Sequence, residues 1–193
     1  EKYIDQNFLY PSLTNPTYIA NRNIYKALKK IAPKYAKGKL IDLGCGRNRL
    51  GASALLQVFG ELGAIPPDLD SPELLEAFFN GMNSLRAKDT VLAYHDRSDG
   101  GLWACLCEMA FAGRVGLDIQ LESLGTDSIA ALFAEELGAV IQVREDDVEA
   151  VIGSFMGTGL EGQAKVVARL RADHRIRVLN GENILFEQSR PVL

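Results

Sequence analysis

The sequence predicts a protein of the α/β or α+β class, because segments with two different hydrophobic periods mix along the whole chain. Short apolar or alternating runs of four or five residues, which are typical of strands, are interspersed with longer segments whose apolar residues recur at helical spacing. Turn-forming residues separate most of these segments. The chain has 193 residues, of which 47% are hydrophobic and 24% charged, so it can bury a core as one domain with or without an appendage.

The N-terminal part is predicted to be a helical appendage. Residues 1–15 show no sustained period and contain turn formers, which favours an irregular arm. An amphipathic helix is predicted over Thr17–Tyr35, where apolar residues recur at near-helical spacing, namely Ile19, Ile24, Leu28 and Ile31. We therefore expect an arm and helix over residues 1–39 and a main domain over residues 40–193.

Strands are predicted where β-prone apolar residues cluster in short runs between turn signals. In chain order they cover Lys39–Leu43, Val91–Tyr94, Leu117–Leu121, Ala139–Val143 and two or three C-terminal segments. The dipeptide Asn180–Gly181 predicts a hairpin that joins a strand over Arg175–Leu179 to one over Ile184–Phe186. Residues 64–70 are predicted to be a loop, because Pro66–Pro67 removes two hydrogen-bond donors that a central strand would need.

Helices are predicted where apolar residues return every three or four positions and capping residues stand at the ends. In chain order they cover Ala52–Phe59, Ser71–Leu85, Leu102–Ala112, Asp127–Glu136 and Asp146–Phe155. Ser71 and Pro72 supply a cap and a first-turn proline for the second helix, and Gly113 closes the third. Glu135 and Glu136 are expected at the solvated end of the fourth helix.

The composition also indicates which partners and which cellular location to expect. The net charge is -4, and lysine and arginine are scattered rather than gathered into a basic stripe, so we expect no nucleic-acid partner. The three cysteines cannot all pair and show no metal-ligand spacing, which favours a reduced, cytoplasmic protein. No apolar run approaches the roughly 20 residues that span a bilayer, so we expect no membrane association.

The richest candidate for chemistry is the loop His95–Gly101, which lies between a predicted strand and a predicted helix. A glycine-containing turn at this position directs backbone N–H groups and the positive helix end at one point, where a phosphate can bind. Asp96 and Asp99 add carboxylates of the kind that hold Mg²⁺ together with waters and phosphate oxygens. Ser98 could donate a hydrogen bond to a phosphate.

A plainer interpretation of this loop stays open. Ser98 or Asp99 could only cap the following helix, and Gly100–Gly101 could only form a turn. His95 has no cysteine or serine near it in the sequence, so we expect it to be a hydrogen-bonded structural residue rather than a catalytic one.

A long series of motifs resembles a known family. The motifs are Asn48–Leu55, Pro67–Asp70, Leu92–Leu102, Glu108–Gly113 and Ala131–Arg144. They resemble the second-half domain of the synthetase portion of bacterial phosphoribosylformylglycinamidine synthase. The resemblance runs from about Leu40 to the C-terminus and is weaker beyond Val151, although Phe186–Arg190 still looks like the closing strand of the family. It implies the C-terminal-type domain of the aminoimidazole ribonucleotide synthetase superfamily, a layered fold with a mixed sheet and helices.

The resemblance also implies a function. The family is an ATP-dependent ligase of purine biosynthesis that amidates formylglycinamide ribonucleotide with ammonia from glutamine, so Mg²⁺ and ATP are the implied cofactors. Asp96 is the predicted metal ligand, and Ser98, Gly100 and Gly101 are the predicted cofactor-binding residues. The other metal ligands, most ATP contacts and the glutaminase domain of the family are not in this chain. We therefore expect part of a site without turnover, which missing synthase domains or self-association would complete.

The first 46 residues resemble a second family. The predicted helix and especially Leu40–Gly46 look like the start of a class I S-adenosylmethionine-dependent methyltransferase, in which a glycine turn after the first strand approaches the cofactor. Asp68 or Asp70 has roughly the spacing of the acidic residue that binds the ribose in that family, although Pro66–Pro67 stands where its strand should be. A methyltransferase, and a chimeric or designed domain without a ligand, are therefore alternatives to the synthase fragment.

Overall fold

The chain divides into two compact units, Glu1–Tyr35 and Ala36–Leu193, and the computed structural model describes residues 37–190 of the second unit. The predicted N-terminal arm and helix therefore lie outside the described residues, and the domain boundary at residue 39 stays a prediction. The strands are β1 Lys39–Gly44, β2 Ala93–Asp96, β3 Gly116–Gln120, β4 Gly138–Val143, β5 Ala164–Arg171, β6 Arg175–Asn180 and β7 Asn183–Ser189. The helices are α1 Ala54–Val58, α2 Pro72–Ala87, α3 Gly101–Gly113, α4 Ser128–Phe133 and α5 Val148–Gly153.

The described strands form one seven-stranded mixed sheet with the order β2-β4-β1-β5-β3-β6-β7. All neighbouring strands are antiparallel except β3 and β6, which are parallel. Strand β4 lies between β1 and β2, although it follows both in the sequence by about 40 residues or more. Because of this insertion, the loops that follow β1 and β2 lie beside the loop that precedes β4.

Helices cover both faces of the central strands, and each face has its own core. In β1, Leu40 packs into one core while Ile41 and Leu43 pack into the other, as the two-residue period of a strand requires. The first core contains buried residues of α3 and α4, and the second contains buried residues of α2 and α5. The sequence-based fold class, a layered mixed sheet with helices, is confirmed.

Several predicted boundaries are wrong by a few residues. Strand β2 begins two residues later than predicted, at Ala93, and the predicted helix over Asp127–Glu136 ends at Phe133. The predicted loop at residues 64–70 contains no helix or strand, and the hairpin between β6 and β7 forms with Gly181 at a φ of 60°. None of the helices within residues 37–190 combines the length and the apolar character that a bilayer crossing requires.

Candidate functional site

Three connections meet at one edge of the sheet because of the position of β4. Strands β1 and β2 both run antiparallel to β4, so their C-terminal ends lie beside its start. Gly44 at the end of β1 is paired with Gly138, and Asp96 at the end of β2 is paired with Ala139. The segment after β1, the segment after β2 and the segment before β4 are therefore neighbours, and the predicted loop His95–Gly101 is one of them.

Arg97 anchors this loop in the protein interior. Its side chain is 3% exposed and forms an ion pair with Asp42 of β1, with 3.2 Å between Nη1 and Oδ2. Its Nη2 donates to the carbonyl oxygen of Ala134 at 3.0 Å, and its backbone amide donates to the carbonyl oxygen of Gly138 at 2.9 Å. Burial raises the pKa of Asp42, and the Arg97 guanidinium opposes that rise.

The anchoring of Arg97 directs its neighbours outward. Asp96, the predicted metal ligand, has a side chain that is 68% exposed, and Ser98 and Asp99 are also exposed. Alternation along the extended backbone explains why a buried residue lies between exposed ones. The loop therefore presents a carboxylate and a hydroxyl to solvent from a fixed backbone.

The two glycines begin helix α3 in left-handed backbone conformations. Gly100 has a φ of 82° and is the N-cap residue, and Gly101 has a φ of 65°. A Cβ atom on Gly101 would lie 2.8 Å from the carbonyl oxygen of Ala134, so no larger residue fits there. The N-cap position of α3 is therefore occupied by Gly100 and not by Ser98 or Asp99.

The amides of both glycines already have acceptors within the protein. The amide of Gly101 donates to the carbonyl oxygen of Ser98 at 2.9 Å, and the amide of Gly100 donates to Oε1 of Glu135 at 2.8 Å. The same Glu135 oxygen accepts from the amide of Ala54, also at 2.8 Å. One carboxylate therefore joins the start of α3 to the start of α1, and the expectation that Gly100 and Gly101 bind a cofactor stays a prediction.

Glu136 is not at a solvated helix end, and the sequence-based expectation for it was wrong. Its side chain is 1% exposed, and its two oxygens accept from Nε and Nη2 of Arg49 at 2.6 and 2.8 Å. The Arg49 guanidinium also contacts Asp70 at 3.2 Å. Burial by itself would raise the pKa of Glu136, but hydrogen bonds from Arg49 and from the amide of Arg47 lower it. This cluster ties together the segments after β1, before α2 and before β4.

His95 is a hydrogen-bonded residue, as expected. Its Nε2 lies 2.7 Å from Oε2 of Glu108 on α3, and its Nδ1 lies 2.8 Å from the backbone oxygen of Asp96. The contact between His95 and Glu108 links β2 to α3 directly beside the exposed Asp96 carboxylate.

The described part of the chain contains no group of three or more histidine, cysteine, aspartate or glutamate side chains placed to hold a metal ion. Asp96 could therefore serve as one ligand of a hydrated Mg²⁺ whose other ligands come from water, a phosphate or another part of the protein. Together with Ser98 and the positive end of α3, it could bind a magnesium-bound phosphate group.

Sequence reasoning identified the exposed loop but missed the side chains that support it. Asp42 is a charged residue within an apolar strand, Leu40–Leu43, and this signal could have indicated a buried partner. Arg49, Glu135 and Glu136 carry no such local signal.

The family comparison agrees with this geometry. Residues 38–179 match the family described as AIR synthase related protein, C-terminal domain, which is more than half of the chain. The chain belongs to this family. The match covers β1 to all but the last residue of β6, and it therefore includes every residue of the loop and of its supporting clusters.

Solved structures share the fold of the family at low sequence identity. PurL of Thermotoga maritima complexed with FGAR has a TM-score of 0.67 and 14% identity over 81% of this chain and 27% of that chain. PurL of the same organism complexed with AMPPCP has a TM-score of 0.62 and 12% identity over 81% of this chain and 25% of that chain. HypE, a hydrogenase maturation protein of E. coli, has a TM-score of 0.56 and 19% identity over 82% of this chain and 50% of that chain. This chain thus spans about a quarter of the length of the PurL chains.

The sheet gives no support to the methyltransferase alternative. A doubly wound nucleotide-binding fold has parallel strands at its centre, whereas β1 lies between two antiparallel neighbours. The glycine turn after β1 packs against the chain itself, with Gly46 against the Glu136 side chain. Asp70, one of the two candidate ribose ligands, is engaged with Arg49, and the backbone oxygen of Asp68 accepts from the same guanidinium.

Proposed function

We propose that this chain is the C-terminal-type domain of a phosphoribosylformylglycinamidine synthase, an ATP-dependent ligase of purine biosynthesis, and that it supplies part of a Mg²⁺–ATP site. The observation that carries the proposal is the form of the His95–Gly101 loop. Arg97 is buried and holds the loop to the sheet, so Asp96 and Ser98 on either side of it face solvent together at the start of a 13-residue helix. The nucleotides and FGAR named with the PurL structures support the same ligand class.

Each loop residue has a distinct part in this proposal. Asp96 would hold Mg²⁺, which neutralises charge on the phosphates of ATP when it is bound. The Ser98 hydroxyl would donate to a phosphate oxygen. The amides of Gly100 and Gly101 donate to Glu135 and Ser98, so these two residues would not bind the phosphate through their amides. They would instead contribute the left-handed backbone that starts α3 beside the phosphate.

The proposed site is incomplete within one chain. Mg²⁺ usually keeps several waters and takes one or two carboxylates besides phosphate oxygens, and Asp96 supplies one carboxylate. The chain spans about a quarter of the PurL chains it matches, so residues outside it would supply the other contacts. We propose that the chain binds the magnesium nucleotide by itself in the cytoplasm with part of the contacts, and that only a larger assembly amidates formylglycinamide ribonucleotide.

Calorimetric titration with ATP in the presence of Mg²⁺ tests the nucleotide site. We expect binding by the unmodified chain and at least a roughly tenfold loss of affinity in Asp96→Asn, which keeps the side-chain volume but removes the charge. Asp146→Asn is the matched control, because Asp146 is an exposed aspartate outside the loop and the net charge changes equally. Equal affinities in the two variants, no binding by the unmodified chain, or binding of S-adenosylmethionine instead would contradict the proposal.

A turnover assay tests the second part of the proposal. With ATP, Mg²⁺, formylglycinamide ribonucleotide and ammonia, we expect no release of ADP above the level of the Asp96→Asn variant. Amidine formation by the chain alone would show that the site is complete and that the proposed need for other residues is wrong.

A further inference from the structure

A carboxylate of the chain lies at the start of α3, where the proposed function places a phosphate. Oε1 of Glu135 accepts from the amide of Gly100, the N-cap residue of α3, at 2.8 Å. It also accepts, at 2.8 Å, from the amide of Ala54, the first residue of α1. Free amides at the start of a helix attract anions, and here one such amide already has an anion of the protein as its acceptor.

The residues on either side of Glu135 hold it in this place. Ala134 is the C-cap residue of α4, with extended backbone angles, and its carbonyl oxygen accepts from the Arg97 guanidinium at 3.0 Å. Glu136 on the other side is buried and forms an ion pair with Arg49. Glu135 therefore lies between two anchored residues, and its carboxylate is a fixed part of this edge of the sheet.

The edge of the sheet around the loop carries more carboxylates than cations. The arginines of the three segments that meet there are each paired with a carboxylate, namely Arg47 with Asp70, Arg49 with Glu136 and Arg97 with Asp42. His95 is engaged by the Glu108 carboxylate. In the described part of the chain, no lysine or arginine forms an ion pair with the three carboxylates that remain, namely Asp96, Asp99 and Glu135. A phosphate that arrives there without a metal ion would therefore meet charge of its own sign.

We propose that Glu135 is a specificity-determining residue, which makes nucleotide binding at the loop depend on Mg²⁺ by repelling phosphates that carry no metal. This role rests on the proposed function, because it requires a phosphate at the start of α3. Glu135 is only partly exposed, so solvent screens its charge less than it would screen a charge on the open surface. A Mg²⁺ ion held by Asp96 offsets the repulsion, whereas metal-free ATP has no such compensation.

Calorimetric titration with ATP, once with Mg²⁺ and once with a chelator in place of the metal, measures this dependence. The unmodified chain should bind ATP at least about tenfold more tightly with Mg²⁺ than without it. Glu135→Gln keeps an oxygen that can accept from both amides but removes the charge. Its affinity for metal-free ATP should therefore rise at least about tenfold, with a smaller change in its affinity for ATP with Mg²⁺. Glu149→Gln is the control, since Glu149 is exposed on α5, outside the loop, and gives the same change of charge.

A purely structural role of Glu135 would give a different result. If its carboxylate only held the backbone, Glu135→Gln would leave both affinities unchanged, and Glu135→Ala, which also removes the acceptor, would lower both equally. Circular dichroism and the urea midpoint verify that each variant is folded.

The outcomes separate this role from the proposed function. If Glu135→Gln binds metal-free ATP no more tightly than Glu149→Gln does, or if the unmodified chain binds ATP equally well with and without Mg²⁺, the role of Glu135 is overturned while the nucleotide site stands. If the unmodified chain does not bind ATP with Mg²⁺ at all, the proposed function and the role of Glu135 are overturned together.

Discussion

Replacing Arg97 by methionine should destabilise the chain chiefly by leaving Asp42 charged and buried without its partner. The two side chains are 3% and 9% exposed, and the guanidinium also donates to the carbonyl oxygen of Ala134. Breaking a buried ion pair by removal of one partner costs about 3–5 kcal/mol. For a domain of this size, each kcal/mol lowers the melting temperature by roughly 2–4 °C, so we expect a decrease of roughly 6–20 °C.

The loss of stability should depend on pH. Burial raises the pKa of Asp42 above its ordinary value of 3.8, and Arg97 is the first of the groups that oppose the rise. A carboxyl group whose pKa is raised on folding destabilises the folded state when it is ionised, and protonation relieves this cost. Without Arg97 the pKa rises further, so the difference in unfolding free energy between the unmodified chain and Arg97→Met should be largest near pH 7. It should shrink as the pH falls through the raised pKa of Asp42.

Urea unfolding at several pH values measures these differences. Arg144→Met is the matched control, because its guanidinium lies at the same 3.2 Å from a carboxylate, that of Asp147, but is 51% exposed. Exposed pairs contribute about 0–1 kcal/mol, so the control should unfold nearly as the unmodified chain does. The double variant Asp42→Asn with Arg97→Met should recover part of the lost stability. Equal effects of the two arginine substitutions, or a difference that does not change with pH, would refute the reasoning.

Three further predictions concern the Arg49–Glu136 ion pair, a glycine and the thiols. Arg49→Met should lower the urea midpoint and make residues 51–67 more susceptible to limited proteolysis, because Glu136 loses its two side-chain donors; unchanged cleavage would contradict this. Gly101→Ala should cost about 2 kcal/mol or more in urea unfolding, whereas Gly153→Ala, at an uncrowded helical position, should be neutral or stabilising; equal effects would show that backbone shape does not require Gly101. Burial raises the pKa of the Cys45 thiol to about 11 and the pKa of the Cys105 and Cys107 thiols to about 12. The three thiols should therefore react slowly with a thiol reagent at pH 8 in the folded chain and rapidly in denaturant. Fast reaction in the folded chain would disprove their burial.

Local patterns in the sequence were sufficient to predict most of the helices and strands. The short apolar runs Leu40–Leu43 and Ala139–Val143 indicate strands, and the Asn180–Gly181 pair indicates a hairpin, because these features depend only on neighbouring residues. The same holds for the exposed loop after β2, which its glycines and carboxylates mark without any tertiary information.

The predicted helix over Asp127–Glu136 shows where local information is overridden. Its sequence suits a helix to the end, but the chain leaves the helix after Phe133. The two glutamates then form hydrogen bonds with residues more than 30 positions away, Glu135 with Gly100 and Ala54, and Glu136 with Arg49. These bonds outweigh the few tenths of a kcal/mol per residue by which helix propensity favours two more helical residues.

By itself, the sequence determined the order of helices and strands, the position of the candidate loop and, through its motifs, the family, because each of these is encoded in short segments. Only the tertiary structure decided that Arg97 pairs with Asp42 and Glu136 with Arg49, which are 55 and 87 positions apart in the chain. Those pairs exist because β4 inserts between β1 and β2 and brings three distant segments to one edge of the sheet. Hydrophobic periodicity reports whether a residue is buried but carries no information about which distant residue it contacts.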